Sequence, residues 1–189
     1  ERYRVESGKM LAAMYILQRG TPFIYQGQEI GMSNNPLPEL SMYKDVMTHN
    51  NARMLSMLMP KKKVLERIQR SSRENSRTPV QWSDKKHAGF STAEPWFPIN
   101  DNYHEVNVAA EEKDPNSLLN FYRKLLRFRK ENPVALYGEY IEYMPEDKNF
   151  YVYERRLKGQ RLLVICSFGA ELRRFDAPAH IDLERWTLE

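Results

Sequence analysis

One irregular loop of the sequence holds the side chains best suited to recognise a polar ligand. Arg77 lies in the segment SRTPVQW at residues 76–82, ahead of the aromatic Trp82, and Phe90 lies in the segment GFST at residues 89–92. An arginine side chain presents a rigid planar fork of donors that can hold two oxygen atoms at once. Long irregular loops cost conformational entropy, so those that persist usually carry function. We therefore predict a functional role for this loop.

The first half of the chain predicts a helix followed by a buried strand. Residues 4–19 read as a helix whose second half is largely buried, and Gly20 suits the left-handed position that closes a helix. The short apolar run at residues 23–25 lacks alternation, as expected of a strand covered on both faces. Together they form the αβ half of a barrel or of a doubly wound unit.

A long insertion follows at residues 26–115, and it contains the loop described above. We expect helices at about residues 49–58 and 60–70, with Pro60 in the first turn of the second. Residues 71–106 carry no convincing period. The next helix runs from Asp114 and Pro115 to Arg129, with leucines and a tyrosine at helical spacing.

After Gly138 the pattern changes to alternation, which predicts a small antiparallel sheet or sandwich. We accordingly place a domain boundary between residues 1–136 and 137–189. Lys158 and Gly159 form the tight turn of a hairpin. The expected strands cover residues 139–144, 149–155, 161–168 and 172–175.

Composition limits the function classes. A closed eight-stranded α/β barrel needs about 250 residues, and this chain of 189 residues is too short for one. The net charge of +4 is mild, and the basic run at residues 61–63 has no aromatic residue nearby. A solvated helix face is therefore favoured over nucleic-acid binding. The 12% aromatic share suits sugar binding, although a well-filled core is the favoured explanation.

The single cysteine, Cys166, excludes an intrachain disulfide and a thiol-rich metal site. It lies in an apolar run, where a buried and inert thiol is expected. Its isolation favours a cytoplasmic location, although export stays open because Glu1 does not read as a native N-terminus. No apolar stretch reaches the 18 residues of a membrane span. We expect no cofactor, no metal, and neither a nucleic-acid nor a membrane partner.

Residues 76–82, together with the segment TPFIYQGQEIGM at residues 21–32, resemble the oligo-1,6-glucosidase and α-glucosidase group of glycoside hydrolase family 13. The resemblance covers essentially the whole chain. It implies the α/β fold of the C-terminal part of a (β/α)8 barrel, followed by a small antiparallel domain. The first helix would be the seventh of the barrel, residues 21–25 the eighth strand, and residues 115–131 the eighth helix.

The family hydrolyses α-glucosidic bonds with retention, which requires two carboxylates about 5 to 5.5 Å apart. The resemblance places these on strands 4 and 5, with a stabilising aspartate after strand 7. None of those motifs occurs here, nor do the residues that bind calcium in some members. The chain thus resembles a segment that begins after the last catalytic carboxylate. We expect it to contain no catalytic residue and to be inactive alone.

The resemblance assigns Arg77 to hydroxyl groups of the nonreducing glucose of an α-linked gluco-oligosaccharide. The alternative is a structural pairing of Arg77 with an aspartate of the missing barrel. Gln26, at the end of the eighth strand, is a second candidate for substrate binding. Trp82 and Phe90 are candidates for the mouth of the pocket, although packing within the loop is the favoured role.

Several functions stay open. Many family members carry a glutamate shortly after the position of Asp45, and Val46 and Met47 follow here instead. Substrates linked α-1,6, maltose-type sugars, sucrose and trehalose 6-phosphate therefore all remain possible, as do transglucosylation and sucrose isomerisation. A noncatalytic carbohydrate-binding or interaction module is the alternative of a different class. An unpaired strand at residues 23–25 would also let the chain associate with itself.

Overall fold

The computed structural model describes residues 3–169, 171, 173–178 and 181–187. The chain divides into two compact units, one of Glu1–Phe23 with Phe121–Glu189 and one of Ile24–Asn120. The α-helices are α1 (Arg4–Ile16), α2 (Val46–Leu55), α3 (Lys61–Ser71), α4 (Val108–Lys113), α5 (Leu118–Glu131) and α6 (Pro133–Tyr137), and the strands are β1 (Glu139–Tyr143), β2 (Phe150–Leu157) and β3 (Gln160–Ser167). The predicted domain boundary at residue 137 stays a prediction.

The strands of the first unit form one antiparallel sheet in the order β1-β2-β3. Their bounds agree with the sequence prediction to within two residues, and Lys158 and Gly159 turn the β2–β3 hairpin, both with positive φ. The predicted strand at residues 172–175 is wrong for 173–175, which have no strand structure, and Leu172 lies outside the described residues. Cys166 is buried on β3, and burial raises the pKa of its thiol to about 11.

Helix α1 is shorter than predicted, because it ends at Ile16 rather than near residue 19. Two buried arginines of the same unit take up the carbonyl groups that follow. Arg155 donates to the Leu17 oxygen at 2.6 Å, and Arg129 donates to the Gln18 oxygen at 2.9 Å. Arg129 also donates to the Ile16 oxygen at 2.5 Å, which is one of the carbonyls that a helix C-terminus leaves without intrahelical partners. The prediction that the second half of α1 is buried holds for Ile16 but not for Leu11, which is exposed.

The second unit has its core between α2 and α3. Val64 and Ile68 of α3 are buried, as their spacing predicts, and Leu65 is partly buried against the same cluster. Helix α2 begins at Val46, three residues earlier than expected, because the Asp45 carboxylate accepts from the backbone N–H of Met47 and caps the helix. The other buried residues of this cluster are Leu37, Tyr43 and Ala52.

The helices α4 and α5 differ from the prediction for local reasons. Helix α4 follows the segment without a detectable period and was not predicted, and the Asn107 side chain caps it by accepting from the Ala110 N–H at 2.9 Å. Asp114 does not cap α5, because its carboxylate accepts from Asn116 in a tight turn. Ser117 instead accepts from the Asn120 N–H at 3.1 Å, and α5 begins at Leu118.

The predicted buried strand at residues 23–25 does not occur in this chain. The segment is extended, but it pairs with no strand of the described part of the chain, and the Phe23 side chain is 86% exposed. A strand inside a parallel sheet needs neighbours on both sides to bury its side chains and satisfy its backbone. The apolar sequence is therefore present without the partners that would cover it. Among the described residues, no helix is long and apolar enough to span a bilayer.

Candidate functional site

The second unit contains a cavity of about 370 Å³. This volume lies in the range of small-molecule sites, which run from about 300 to 1,000 Å³. One wall comes from the loop after residue 24, and the other comes from the end of α3 and the turn that follows it. Its lining residues are Tyr25, Gln26, Gly27, Gln28, Met32, Ser33, Asn34, Arg70, Ser71, Ser72, Asn75, Ser76 and Thr78.

The first wall is shaped by a glycine turn. Gly27 has a φ of 85°, and a Cβ added there would lie 2.5 Å from the Met32 sulfur. Only glycine combines that backbone conformation with so close an approach. The Gln28 side chain accepts from the Tyr25 N–H at 3.2 Å, and the Tyr25 hydroxyl donates to the Ser76 carbonyl at 2.9 Å. Tyr25 therefore ties the two walls together.

The second wall is a 3-10 helix at Arg73–Arg77, capped by Ser72. The Ser72 hydroxyl accepts from the Glu74 N–H at 3.2 Å and shares a hydrogen bond of 3.0 Å with Thr48 on α2. The Asn75 side chain donates to the Gln69 carbonyl at 3.0 Å. Buried polar side chains thus fix this short, aperiodic segment, which apolar packing alone would leave loosely defined.

The cavity suits a neutral, hydroxyl-rich ligand. Its side-chain groups are amides, hydroxyls and one guanidinium, that of Arg70. None of its lining residues, all of which the structure describes, carries a carboxylate. Such a site can donate and accept hydrogen bonds to a sugar, but it supplies neither an acid nor a nucleophile for glycoside hydrolysis.

The structure places the predicted site residues in three different settings. Gln26 is exposed and lines the cavity, whereas Arg77, Trp82 and Phe90 do not. Arg77 ends the 3-10 turn between two lining residues, and 45% of its side chain is exposed. Trp82 and Phe90 are exposed to 51% and 49% on the following loop. Of the four residues, Gln26 alone lines the cavity, and Arg77 follows the lining residue Ser76 along the chain.

Arg77 lies beside the carboxylate of Asp45, a contact that no local sequence pattern predicts. The Asp45 carboxylate is almost fully buried. Arg73 donates hydrogen bonds to it from Nε and from Nη2, the latter at 2.7 Å. Arg77 Nη1 lies 3.9 Å from the same carboxylate. The hydrogen bond from Arg73 holds the pKa of the Asp45 carboxyl at about 2, so the group is ionised at any working pH.

Comparison with known proteins places the chain in a family. The family model for "Alpha amylase, catalytic domain" matches residues 1–138. The chain therefore belongs to the alpha-amylase family, glycoside hydrolase family 13. The catalytic fold of this family is a TIM barrel. The resemblance drawn from residues 21–32 and 76–82 is thereby confirmed.

Individual relatives are similar over nearly the whole chain. It is 40% identical over 189 residues to the oligo-1,6-glucosidase of Halalkalibacterium halodurans, covering 100% of this chain and 34% of that protein. A crystal structure of Bacillus licheniformis trehalose-6-phosphate hydrolase superposes with a TM-score of 0.92 at 39% identity, covering 97% of this chain and 33% of the other. A crystal structure of the trehalulose synthase MutB, mutant A258V in complex with TRIS, superposes with a TM-score of 0.89 at 38% identity. The match covers 94% of this chain and 32% of the other. The chain thus spans about a third of the length of its relatives.

Proposed function

We propose that this chain is the C-terminal part of a retaining α-glucosidase that hydrolyses terminal α-glucosidic bonds in oligosaccharides. The observation that carries the proposal is the 40% identity to an oligo-1,6-glucosidase over the full 189 residues, within a matched catalytic-domain family. Because the chain covers about a third of that relative, the activity belongs to the complete polypeptide.

In this proposal residues 21–25 are the eighth strand of the barrel, with α1 and α5 as its seventh and eighth helices. The exposed Phe23 supports this placement, because a lone apolar strand needs a neighbouring strand to cover it. The family match at residues 1–138 ends where β1 begins, which supports a separate antiparallel domain after the barrel.

We assign Arg77 to the hydroxyl groups of the nonreducing glucose. Its exposed guanidinium makes an ion pair at 3.9 Å and, among the described residues, no hydrogen bond, so its donors are available to a ligand. Gln26 contributes from the cavity wall, and Trp82 and Phe90 flank the outer rim. A glucose ring offers pairs of vicinal hydroxyls that match the spacing of a planar fork.

The kinetics of Arg77→Ala in the complete enzyme test this assignment. A hydrogen bond to a charged donor is worth about 1.5 to 3 kcal/mol, so kcat/KM for an α-glucoside should fall about 10- to 100-fold. The control is Arg67→Ala on the exposed face of α3, which should leave kcat/KM unchanged. An Arg77→Ala enzyme with wild-type kcat/KM would contradict the proposal.

The isolated chain should not catalyse, because its cavity offers no carboxylate pair. Purified chain should leave a chromogenic α-glucoside intact under conditions in which the complete enzyme turns it over. If the chain is instead a carbohydrate-binding module, calorimetry should detect oligosaccharide binding by the chain and its loss in Arg77→Ala. Turnover by the chain alone would overturn the placement of the catalytic groups outside it.

A second reaction is favoured by a specific observation. Trehalose-6-phosphate hydrolase and trehalulose synthase are 39% and 38% identical to this chain, close to the 40% of the oligo-1,6-glucosidase. Product analysis of the complete enzyme on isomaltose, trehalose 6-phosphate and sucrose distinguishes hydrolysis of each substrate from isomerisation.

A further inference from the structure

One buried carboxylate joins α2 to the turn that carries Arg77. Asp45 Oδ1 accepts from the Met47 N–H at 3.2 Å and from Arg73 Nη2 at 2.7 Å. Asp45 Oδ2 accepts from Arg73 Nε and lies 3.9 Å from Arg77 Nη1. A single side chain therefore contacts a helix N-terminus and both ends of the 3-10 helix Arg73–Arg77.

The two arginines use the carboxylate differently. Arg73 forms the two-pronged contact typical of a strong guanidinium–carboxylate pair, and this contact fixes the start of the 3-10 helix. Arg77, at 3.9 Å, is within ion-pair distance but beyond hydrogen-bond distance. Asp45 thus attracts the Arg77 guanidinium without using up its donors.

Removing the charge of Asp45 would change where Arg77 rests. Arg73 and Arg77 are cations at the two ends of one short turn, and without the carboxylate they repel each other. A long arginine side chain that is half exposed also regains rotamer freedom when its ion-pair partner is lost. Both effects would let the guanidinium leave the position in which its donors face a ligand.

We propose that Asp45 is a positioning residue that holds Arg77 in place for substrate. This inference rests on the proposed function, in which Arg77 binds the nonreducing glucose. Because Asp45 also caps α2, it sets the position of Arg77 relative to the exposed Met47 in the first turn of that helix. The Asp45 carboxylate therefore contacts both the Met47 backbone and the Arg77 guanidinium.

The test is a double-mutant cycle in the complete enzyme, with p-nitrophenyl α-glucoside as substrate. Asp45→Asn should raise KM about tenfold, within the range of coupling seen for residues in one network. Its kcat should stay within about threefold, because the loss is one of substrate positioning. In an Arg77→Ala background, Asp45→Asn should raise KM no further.

Two further variants keep the test decisive. Asp45→Glu keeps the charge and moves it by one methylene, so its KM should lie between those of wild type and Asp45→Asn. If Asp45→Asn does not fold, the KM of Asp45→Glu provides the test instead. Asp101→Asn replaces an exposed aspartate of the same unit for which the described structure records no ion pair, and should leave KM unchanged.

The outcomes separate this inference from the proposed function. If Arg77→Ala raises KM while Asp45→Asn, or Asp45→Glu where only that variant folds, keeps the wild-type KM, Asp45 does not position Arg77 and the inference falls alone. An added KM increase from Asp45→Asn in the Arg77→Ala background would likewise overturn it. If Arg77→Ala itself leaves KM unchanged, the proposed role of Arg77 fails first.

Discussion

Replacing Glu154 with glutamine tests whether ion pairing, in addition to apolar packing, stabilises the antiparallel sheet. The Glu154 side chain on β2 is fully buried. Its carboxylate accepts from Arg156 at 2.6 and 3.0 Å, from Arg161 at 2.6 and 2.8 Å, and from the Tyr143 hydroxyl at 2.7 Å. Glutamine would turn a donor group towards these donors and leave both arginines without a counter-charge.

The size of the expected loss in stability follows from the pKa of Glu154 and from the general cost of breaking a buried ion pair. Burial opposes ionisation of Glu154, yet the hydrogen bonds from Arg161, Arg156 and Tyr143 hold its pKa at about 2, below the ordinary value of 4.5. At about 1.4 kcal/mol per pH unit, this difference corresponds to about 3 kcal/mol. Breaking a buried ion pair costs about 3 to 5 kcal/mol. The lower figure applies because the two arginines are 43% and 40% exposed and can regain water.

Urea unfolding of the purified chain measures this loss. At pH 7, Glu154→Gln should lower the free energy of unfolding by about 3 kcal/mol. The control, Glu142→Gln, alters an exposed residue of β1 that accepts one long bond of 3.4 Å, and should change it by less than about 0.5 kcal/mol. A loss below about 1 kcal/mol in Glu154→Gln would show that these ion pairs do not stabilise the sheet.

The pH dependence gives a second measurement of the same pair. A carboxyl whose pKa is lowered by folding stabilises the protein above its unfolded pKa, and this contribution disappears as the pH falls towards the folded value. The free energy of unfolding of the wild type should therefore decrease between pH 4.5 and about 2. This part of the decrease should be missing in Glu154→Gln, and an unchanged acid profile would contradict the assignment.

Three more outcomes are expected. Gly27→Ala should lower the free energy of unfolding by about 1 to 3 kcal/mol, because residue 27 has a φ of 85° and lies against the Met32 sulfur. Gly159 has the same φ, but no atom lies near an added Cβ, so Gly159→Ala should lower the free energy of unfolding by less. Equal losses in the two variants would contradict the close approach of Met32 to Gly27. Arg155→Lys should cost about 2 to 3 kcal/mol in urea unfolding, because an ammonium cannot reproduce the fork that binds three carbonyls; a loss under about 0.5 kcal/mol would contradict this. The chain should self-associate through residues 23–25, and light scattering that shows only monomers would count against it.

The sequence predicted the sheet and the amphipathic helices well because their signals are local. Alternation and the Lys158–Gly159 turn define the β2–β3 hairpin, and the spacing of Val64 and Ile68 defines the buried face of α3. The short helix α4 escaped prediction because its six residues are too few to show a period. Its side-chain cap at Asn107 was the available signal.

The candidate site was less accessible from the sequence, because its contacts connect distant and aperiodic segments. Asp45 and Arg73 are 28 positions apart, and nothing in either local pattern indicates their pairing. An aspartate ahead of a helical segment was the one usable signal, since Asp45 caps α2. The cavity wall formed by Tyr25 and Ser76 depends in the same way on a contact 51 positions apart. Arg77 and Gln26 were found through the family resemblance rather than through spacing.

A crystal structure of the complete enzyme with glucose bound is the decisive test of whether Arg77 binds the sugar. We predict that the Arg77 guanidinium donates to glucose hydroxyls at about 2.7 to 3.2 Å while its other side stays beside the Asp45 carboxylate. A glucose molecule bound in the catalytic pocket with Arg77 turned away from it would show that Arg77 is not a ligand of the sugar.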